Sequence, residues 1–227
     1  MLHGFAGTAR HWDGVVALID RERYSPLALE LADAQPLGLA GAIELIAASA
    51  PERFVLCGYS MGGRVALNVA LALPERVSRL VLVSASAGID DPVARRDRLA
   101  ADERLAGEIE AGTVEDFVTR WRGTPLFAAD PDWVHELIAQ DTRRLTREQI
   151  ASTLRAFSPG LLPAVTDRLG ELAMPAVVLA GSRDSGYCAL GKRLARALPG
   201  GDYVGVTGAG HRVTLEAPAA VVSSFAG

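Results

Sequence analysis

The sequence predicts one α/β domain in which a mostly parallel sheet carries helices on both faces. Short apolar runs alternate with segments of helical periodicity, a pattern typical of parallel sheets covered by helices. One of these runs leads into a glycine-rich turn around a serine, and a helical pattern follows at once. With 227 residues, 49% of them hydrophobic, the chain can bury a sizeable core.

The apolar runs predict strands at residues 25–29, 54–57, 79–84, 176–180 and 202–206. Helical patterns lie near residues 12–19, 39–49, 62–73, 190–198 and 218–225, and Pro74 should end the third of these helices. Residues 87–165 show arginine-rich amphipathic helices and no strand pattern. We interpret that segment as a helical cap inserted into a core formed by residues 1–86 and 166–227. Such a cap would cover the active site and select the substrate.

The strongest functional signal is a G-x-S-x-G motif between the second predicted strand and the third predicted helix. Its residues are Gly58-Tyr59-Ser60-Met61-Gly62. In this context a sharp strand-to-helix turn holds the serine in a strained backbone conformation and raises its hydroxyl clear of the sheet. Glycines are needed on either side because side chains there would collide with the neighbouring turn. We therefore predict that Ser60 is the reactive hydroxyl.

A serine hydroxyl needs a histidine to take its proton and a carboxylate to orient that histidine. Of the four histidines we predict His211, because it lies in a glycine-rich loop after the last predicted strand. His135 should lie on the surface of an amphipathic helix. Asp184 is the predicted carboxylate because it follows the strand at 176–180 directly. Asp167 and Asp202 compete with it, but the first precedes that strand and the second opens the next one.

Two backbone N–H groups are predicted to form an oxyanion hole. The Met61 N–H lies at the start of the helix that follows Ser60, where N–H groups have no helical partner. The Phe5 N–H belongs to the loop that begins His3-Gly4, in which Gly4 permits close approach of the backbone. We interpret His3 as a structural residue of this H-G loop.

Further motifs extend along nearly the whole chain: Leu2-His3-Gly4-Phe5 with Gly7 and Trp12, residues 58–64, Arg98 with Asp102, Phe117-Val118 with Trp121, Pro125-Leu126-Phe127, residues 181–184, and residues 208–211 with Glu216. On these residues the chain resembles the α/β-hydrolase superfamily, in which the triad follows the order Ser, Asp, His. Within it, the chain most resembles the 2-succinyl-6-hydroxy-2,4-cyclohexadiene-1-carboxylate synthases of menaquinone biosynthesis. The resemblance implies the α/β-hydrolase fold with a helical cap. We expect the sheet to lack the strands that usually precede the H-G loop in that superfamily.

The resemblance also implies a lyase rather than a hydrolase. In that family the triad serine acts as a general base on an isochorismate-derived succinyl adduct, and pyruvate leaves as the diene forms. The substrate carries several carboxylates, and each needs a charge-assisted partner. By family position the substrate pocket is lined by Tyr59, Arg64, Arg98 and Trp121. A further family arginine falls at either Arg143 or Arg144.

Composition limits the partners. A net charge of -4 and a pI near 5.6 leave no basic footprint for nucleic acid or an anionic membrane, so local arginines must hold a small polycarboxylate substrate. Cys57 and Cys188 lack the spacing of a disulfide framework and indicate free thiols in a reducing cytoplasm. The scattered histidines predict no metal, and we expect no cofactor. We expect no signal peptide or membrane span, and the oligomeric state is not predicted.

Two alternatives to the lyase stay open. Ser60 could be a nucleophile in a carboxylesterase, a lactonase or another hydrolase of the same fold, because a fold does not fix a function. The chain could also be a binding or receptor protein that holds a ligand in the pocket without turning it over. Covalent labelling of the serine together with ester turnover would favour a hydrolase, whereas pyruvate release would favour the lyase.

Overall fold

The strands form one parallel sheet whose carboxyl-terminal edge carries the predicted triad. The computed structural model describes residues 1–226, with the side chains of residues 35–37 excepted. Strands β1 (Phe54–Tyr59), β2 (Val77–Val83), β3 (Ala176–Gly181) and β4 (Gly201–Val206) lie side by side in that order, and every pair is parallel. Ser60, Asp184 and His211 follow β1, β3 and β4, so they lie at the same edge.

Helices cover the sheet and fill the segment between β2 and β3. In chain order the α-helices of the described residues are α1 (Asp13–Leu18), α2 (Gly38–Ser49), α3 (Met61–Ala72), α4 (Pro92–Ala111), α5 (Val114–Arg122), α6 (Asp132–Thr142), α7 (Arg147–Phe157), α8 (Ser185–Ala197), α9 (Val213–Glu216) and α10 (Pro218–Ser223). Short 3₁₀ helices lie at Ala9–Trp12, Leu31–Leu37 and Thr166–Glu171.

Alternate residues of β2 face two separate apolar layers. Leu80 and Leu82 pack into a layer with residues of α2, α3 and α8. Val81 and Val83 pack into the opposite layer, which contains Trp12 and residues of α10. All four β2 side chains are fully buried. A parallel sheet covered on both faces requires such a continuous apolar run, as the sequence predicted.

Helices α4, α5 and α7 share an apolar cluster with Ala6, which follows the H-G loop residue Phe5. It contains Ile109, Phe117, Ile150 and Leu154, and Phe5 of the H-G loop packs against it. The described residues 84–175 contain helices and no strand. Helices α4–α7 fall inside the segment 87–165, and the contact of the cluster with Phe5 places it beside the predicted oxyanion loop.

The predicted strand at residues 25–29 is wrong. Only Leu29 makes an isolated parallel bridge, to Leu2, and Leu2 also bridges to Gly58. Pro26 has no N–H to donate, which weakens the segment as a strand. The Tyr59 N–H donates to the Leu2 carbonyl at 3.0 Å, so the H-G loop is held directly against β1.

The other predicted elements are present with shifted ends. The four remaining strands occur, and β1 and β2 extend beyond the predicted bounds. The helix predicted at 190–198 begins already at Ser185. Its start is moved by Asp184, whose side chain caps the helix by accepting the Tyr187 N–H at 3.0 Å.

Candidate active site

Ser60 lies on the turn between β1 and α3 with a strained backbone. Its φ is 51° and its ψ is -109°, a region that residues other than glycine rarely occupy. The Ser60 N–H donates to the Val83 carbonyl at 2.9 Å, and the Ser60 carbonyl accepts the Gly63 N–H at 3.1 Å. These bonds to β2 and α3 hold the turn in place, so that the strain is maintained by the surrounding fold.

Two glycines allow the turn to approach its neighbours. A Cβ on Gly58 would overlap the Gly62 carbonyl, and a Cβ on Gly62 would overlap the carbonyl oxygens of Leu2 and His3. The obstacles are backbone atoms, which cannot swing aside as a flexible side chain would. A larger residue at Gly58 would therefore distort the turn itself, and one at Gly62 would force the turn and the H-G loop apart.

The structure brings the three predicted triad residues together. His211 Nε2 lies 3.1 Å from Ser60 Oγ, and His211 Nδ1 lies 2.7 Å from Asp184 Oδ2. The carboxylate can only accept, so Nδ1 carries the proton and Nε2 is free to accept the hydroxyl proton of Ser60. The Ser84 hydroxyl donates to the His211 carbonyl at 2.7 Å and fixes the backbone of the histidine. The competing carboxylates, Asp167 and Asp202, are both exposed.

The His211 ring is buried among aromatic side chains. Its centroid lies 4.4 Å from the ring of Tyr187, 5.5 Å from that of Tyr59 and 5.7 Å from that of Phe127. Burial lowers the pKa of His211 below its usual 6.5, and the hydrogen bond to Asp184 opposes that effect. At neutral pH the imidazole is therefore uncharged, as a general base must be.

The predicted oxyanion donors lie on either side of Ser60. Met61 is the first residue of α3, and Phe5 lines a small cavity together with Ser60. A Cβ on Gly4 would lie 3.6 Å from the Ser60 Cβ, which shows how closely the H-G loop approaches the serine. Within the part of the chain that the structure describes, neither the Phe5 amide nor the Met61 amide is engaged in a hydrogen bond that would compete with an oxyanion.

A sequence profile described as "Alpha/beta hydrolase family" matches residues 1–224. The match includes the turn, the H-G loop and the histidine loop. The chain belongs to the alpha/beta hydrolase family. This membership confirms the predicted fold class.

Within the alpha/beta hydrolase family the chain is similar to named synthases. It is 31% identical over 245 residues to the 2-succinyl-6-hydroxy-2,4-cyclohexadiene-1-carboxylate synthase of Salmonella agona (strain SL483), with 99% of this chain and 90% of that protein covered. It is 35% identical over 181 residues to a Bacillus subtilis (strain 168) protein described as a candidate for the same synthase. That match covers 75% of this chain and 64% of the Bacillus protein, slightly less than two thirds. The resemblance stated from the motifs is thereby confirmed.

A solved structure, that of MenH from S. aureus, has the same fold. Its TM-score to this chain is 0.83 at 24% identity, and the alignment covers 98% of this chain and 89% of that one.

None of the described helices is long and apolar enough to cross a membrane. Cys57 and Cys188 are both free thiols. No group of three or more His, Cys, Asp or Glu side chains in the described residues is arranged to hold a metal ion.

The cavity beside Ser60 is small. Its volume is about 30 Å³, room for little more than one water-sized group. It is lined by Gly4, Phe5, Gly7, His11, Tyr59, Ser60, Trp121, Phe127, Ile138 and Arg212. Two of the four predicted pocket residues, Tyr59 and Trp121, are in this lining. Arg64 and Arg98 are not, so the structure does not place them beside the serine.

Arg64 reaches the triad through Tyr187. It lies one turn after Ser60 on α3, and its guanidinium hydrogen-bonds to Tyr187, whose ring packs on His211. The Arg64 Nε is buried and has no hydrogen-bond partner among the described residues. Burial lowers the pKa of Arg64, while its interaction with Tyr187 opposes that effect. An unpartnered buried donor is costly, and a ligand carboxylate would satisfy it.

The other predicted arginines are engaged elsewhere. The Arg98 Nε donates to both carboxylate oxygens of Asp102 at 2.9 Å. Arg143 forms two hydrogen bonds with Glu115 on the surface, at 2.7 and 3.0 Å. Arg144 is exposed. Neither Arg143 nor Arg144 lines the cavity, so the choice between them stays open.

The structure gives different outcomes for the two other histidines whose positions were predicted, His3 and His135. His3 is buried, its Nδ1 donates to the Gly4 carbonyl at 2.8 Å, and its Nε2 accepts the Leu31 N–H at 3.1 Å, which fits the structural role. The surface position predicted for His135 is wrong, because this side chain is only 8% exposed. His135 and Ala139 lie one turn apart on the face of α6 that packs inward.

Two residues of the site were missed from the sequence. His11 lines the cavity, stacks on the Tyr59 ring at 4.7 Å and pairs its Nε2 with Thr214 Oγ1 at 2.6 Å. Arg212 follows His211 directly and pairs with Asp130. Adjacency to the catalytic histidine is a signal that was available for Arg212. The partner of each residue, by contrast, is far away in sequence and has no spacing signal.

We expect Gly62→Ala to destabilise the fold and to impair the site. The new Cβ would overlap backbone carbonyls of the H-G loop, and overpacking of this kind typically costs about 1–3 kcal/mol. Chemical denaturation and the rate of Ser60 labelling by a neutral fluorophosphonate would measure both effects. Gly107→Ala on α4 is the matched control, because its Cβ would meet nothing within 4 Å and alanine favours a helix. Equal stability of the two variants would contradict the packing argument.

The labelling of Ser60 should depend on pH through His211. Because burial lowers the pKa of His211, the neutral base persists at pH 6.5 and the labelling rate should fall only at lower pH. Asp184→Asn removes the acceptor that fixes the Nδ1–H tautomer, and a loss of about 10⁴-fold is the scale seen in serine proteases. A rate profile with its acid midpoint above 6.5 would disprove the neutral buried base.

Proposed function

We propose that the chain is a lyase that eliminates pyruvate from an isochorismate-derived succinyl adduct. The product would be 2-succinyl-6-hydroxy-2,4-cyclohexadiene-1-carboxylate, an intermediate of menaquinone biosynthesis. The observation that carries the proposal is a hydrogen-bonded Ser60–His211–Asp184 triad in a chain 31% identical, over 99% of its length, to a synthase of that name.

The proposed reaction is a proton abstraction followed by loss of a leaving group. His211 Nε2 accepts the hydroxyl proton while Ser60 Oγ removes the ring proton of the substrate. The electron pair of the broken C–H bond forms the new ring double bond, and the C–O bond to the enolpyruvyl group breaks. The His211 imidazolium, stabilised by Asp184, returns a proton to the leaving group, which becomes pyruvate. The proton taken from the ring is matched by the proton given to the leaving group, so the reaction needs no other reactant and forms no acyl-enzyme.

The backbone N–H groups of Phe5 and Met61 would stabilise the developing negative charge. The helix dipole of α3 adds to the Met61 donor. Removing one oxyanion donor typically costs about 10²–10³-fold in rate, so these two amides would contribute strongly. Since the donors belong to the backbone, the protein can position them only through the geometry of the turn and the H-G loop.

We also propose that residues 87–165 form a cap on the core of residues 1–86 and 166–227. Trp121 and Phe127 come from this segment and line the cavity with Ser60, which supports the proposal. The Trp121 ring lies 5.2 Å from that of Phe5 and 5.3 Å from that of Phe127, so the roof of the site is aromatic. A cavity of about 30 Å³ is smaller than the ring substrate, and the cap must therefore move to admit it.

Arg64 is the arginine that we propose binds one substrate carboxylate. Its buried, unpartnered Nε supports this role. Arg98 is 45% exposed, and Asp102 orients its guanidinium. From its place in the proposed cap, Arg98 would bind a second carboxylate of the substrate. A small polyanionic substrate would in this way find charge-assisted partners in a protein whose net charge is negative.

Ser60→Ala should abolish pyruvate release from the succinyl adduct and leave the fold intact. The loss should be at least about 10³-fold, because the base itself is removed. A coupled lactate dehydrogenase assay follows pyruvate, and circular dichroism reports folding. Ser152→Ala, half-buried on α7 and outside the lining of the cavity, is the control serine. Wild-type protein that releases no pyruvate but hydrolyses aryl esters through Ser60 would identify the alternative, a carboxylesterase or lactonase.

Arg64→Gln should impair the succinyl-adduct reaction far more than Ser60 labelling by a neutral fluorophosphonate. Only the adduct presents carboxylates to the guanidinium, and a charge-assisted hydrogen bond is worth about 1.5–3 kcal/mol, roughly 10–150-fold in kcat/KM. Arg104→Gln on the exposed face of α4 is the control. Equal losses in both assays would mean that Arg64 supports the triad and does not bind substrate.

A further inference from the structure

A buried ion pair lies beside the triad. Arg212 Nη1 donates to Asp130 Oδ2, and the two side chains are only 3% and 2% exposed. Arg212 belongs to the loop that carries His211, whereas Asp130 lies between α5 and α6. The pair therefore joins the histidine loop of the core to the segment that we propose as the cap.

The Arg212 guanidinium is held on a second side by an aromatic ring. Its Cζ lies 3.9 Å from the centroid of the Phe127 ring, and this ring lies 5.7 Å from that of His211. A planar guanidinium stacks well on such a ring and keeps its edge donors available. Asp130 and Phe127 thus fix both the position and the plane of the cation.

Arg212 supplies the positive charge of the cavity that contains Ser60. Among the residues described as lining this cavity, only Arg212 and His11 can be cationic. Burial lowers the pKa of His11 to about 3, with the nearby His3 and Arg212 contributing, so His11 is neutral. A buried ion pair generally stabilises a fold no more than an apolar pair of the same shape, so its place beside the serine calls for a functional reason.

We propose that Arg212 binds a carboxylate of the substrate in the cavity beside Ser60, with Asp130 and Phe127 orienting its guanidinium. The inference rests on the proposed function for its substrate, and it assigns to Arg212 a contact that Arg64 and Arg98 cannot make from outside the cavity. A volume of about 30 Å³ suits one small polar group, such as a carboxylate that replaces a water molecule. Arg212 would then select anionic substrates at the reacting end.

A second ion pair, close to the histidine loop, provides a matched control. Arg183 pairs with Glu216, and Glu216 also accepts the Gly210 N–H at 2.8 Å. A Cβ on Gly210 would lie 3.2 Å from Asp130 and 3.6 Å from Arg183, so the two pairs flank the same residue. Arg183 is 36% exposed and does not line the cavity.

The test compares Arg212→Gln with Arg183→Gln by protection of Ser60. A neutral fluorophosphonate labels the serine at pH 8, where His211 is neutral in every variant, and pyruvate or succinate is added as the competing anion. Arg212→Gln should raise the anion concentration needed for half-protection at least about tenfold, because a charge-assisted bond is lost. Arg183→Gln should leave it within about twofold. Labelling without anion reports an intact triad.

Removing Arg212 alone leaves Asp130 buried and unpaired, which could unfold the protein. The double variant Arg212→Gln, Asp130→Asn removes both charges and keeps two amides that can hydrogen-bond. It should fold and should lose anion protection to the same extent as Arg212→Gln. Undiminished protection in either folded variant, or no protection of the wild-type protein by either anion, would overturn the inference.

Pyruvate release separates this inference from the proposed function. Suppose that the wild-type protein releases no pyruvate, but that Arg212→Gln weakens the protection of Ser60 by anions. That pair of results would refute the lyase and retain the anion site. If the wild-type protein releases pyruvate and Arg212→Gln has the same KM, the lyase is retained and the role of Arg212 is refuted. A rise in KM with a smaller change in kcat is the result expected if both proposals hold.

Discussion

The site depends on a close contact between two stretches of backbone, the H-G loop and the turn at Ser60. This contact leaves no room for a side chain. A Cβ on Gly62 would overlap the Leu2 and His3 carbonyls, so only glycine lets the H-G loop lie against the turn. That contact brings the H-G loop, which contains Phe5, close to Ser60, and Met61 follows the serine directly. The strained φ of Ser60 then directs its hydroxyl to the imidazole. The hydroxyl of Ser60 and the predicted oxyanion donors thus depend on one steric condition.

Asp184 and His211 each form a structural bond as well as a bond within the proposed triad. Asp184 binds His211 with one carboxylate oxygen and caps α8 with the other. His211 offers its ring to Ser60 and its carbonyl to the hydroxyl of Ser84. Substitutions here therefore alter stability and chemistry together. Kinetic losses in such variants can be interpreted only beside a measurement of folding.

The parts of the site that depend on neighbouring residues in the sequence could be predicted. Strand, turn and helix follow one another within residues 54–72, so Ser60 and its glycines were predictable, and the end of β3 led to Asp184. The failures concern long-range packing. The run at 25–29 has strand composition but is bonded to Met1 and Leu2 rather than to a full strand, and His135 is buried by packing that its own helix does not reveal. Arg212 was overlooked because Asp130, 82 residues away, gives it a fixed place in the cavity.

The triad geometry serves proton abstraction and acyl transfer equally well, so the choice between them lies in the lining of the cavity. An ester hydrolase must admit water to an acyl-enzyme, whereas an elimination needs only a base within reach of a C–H bond. Around Ser60 the aromatic rings of Tyr59, Trp121 and Phe127 line a cavity of about 30 Å³, and the guanidinium of Arg212 lies in the same lining. A small aromatic cavity with a fixed cation suits the proposed carboxylate-bearing substrate, which loses a proton and a leaving group without being hydrolysed.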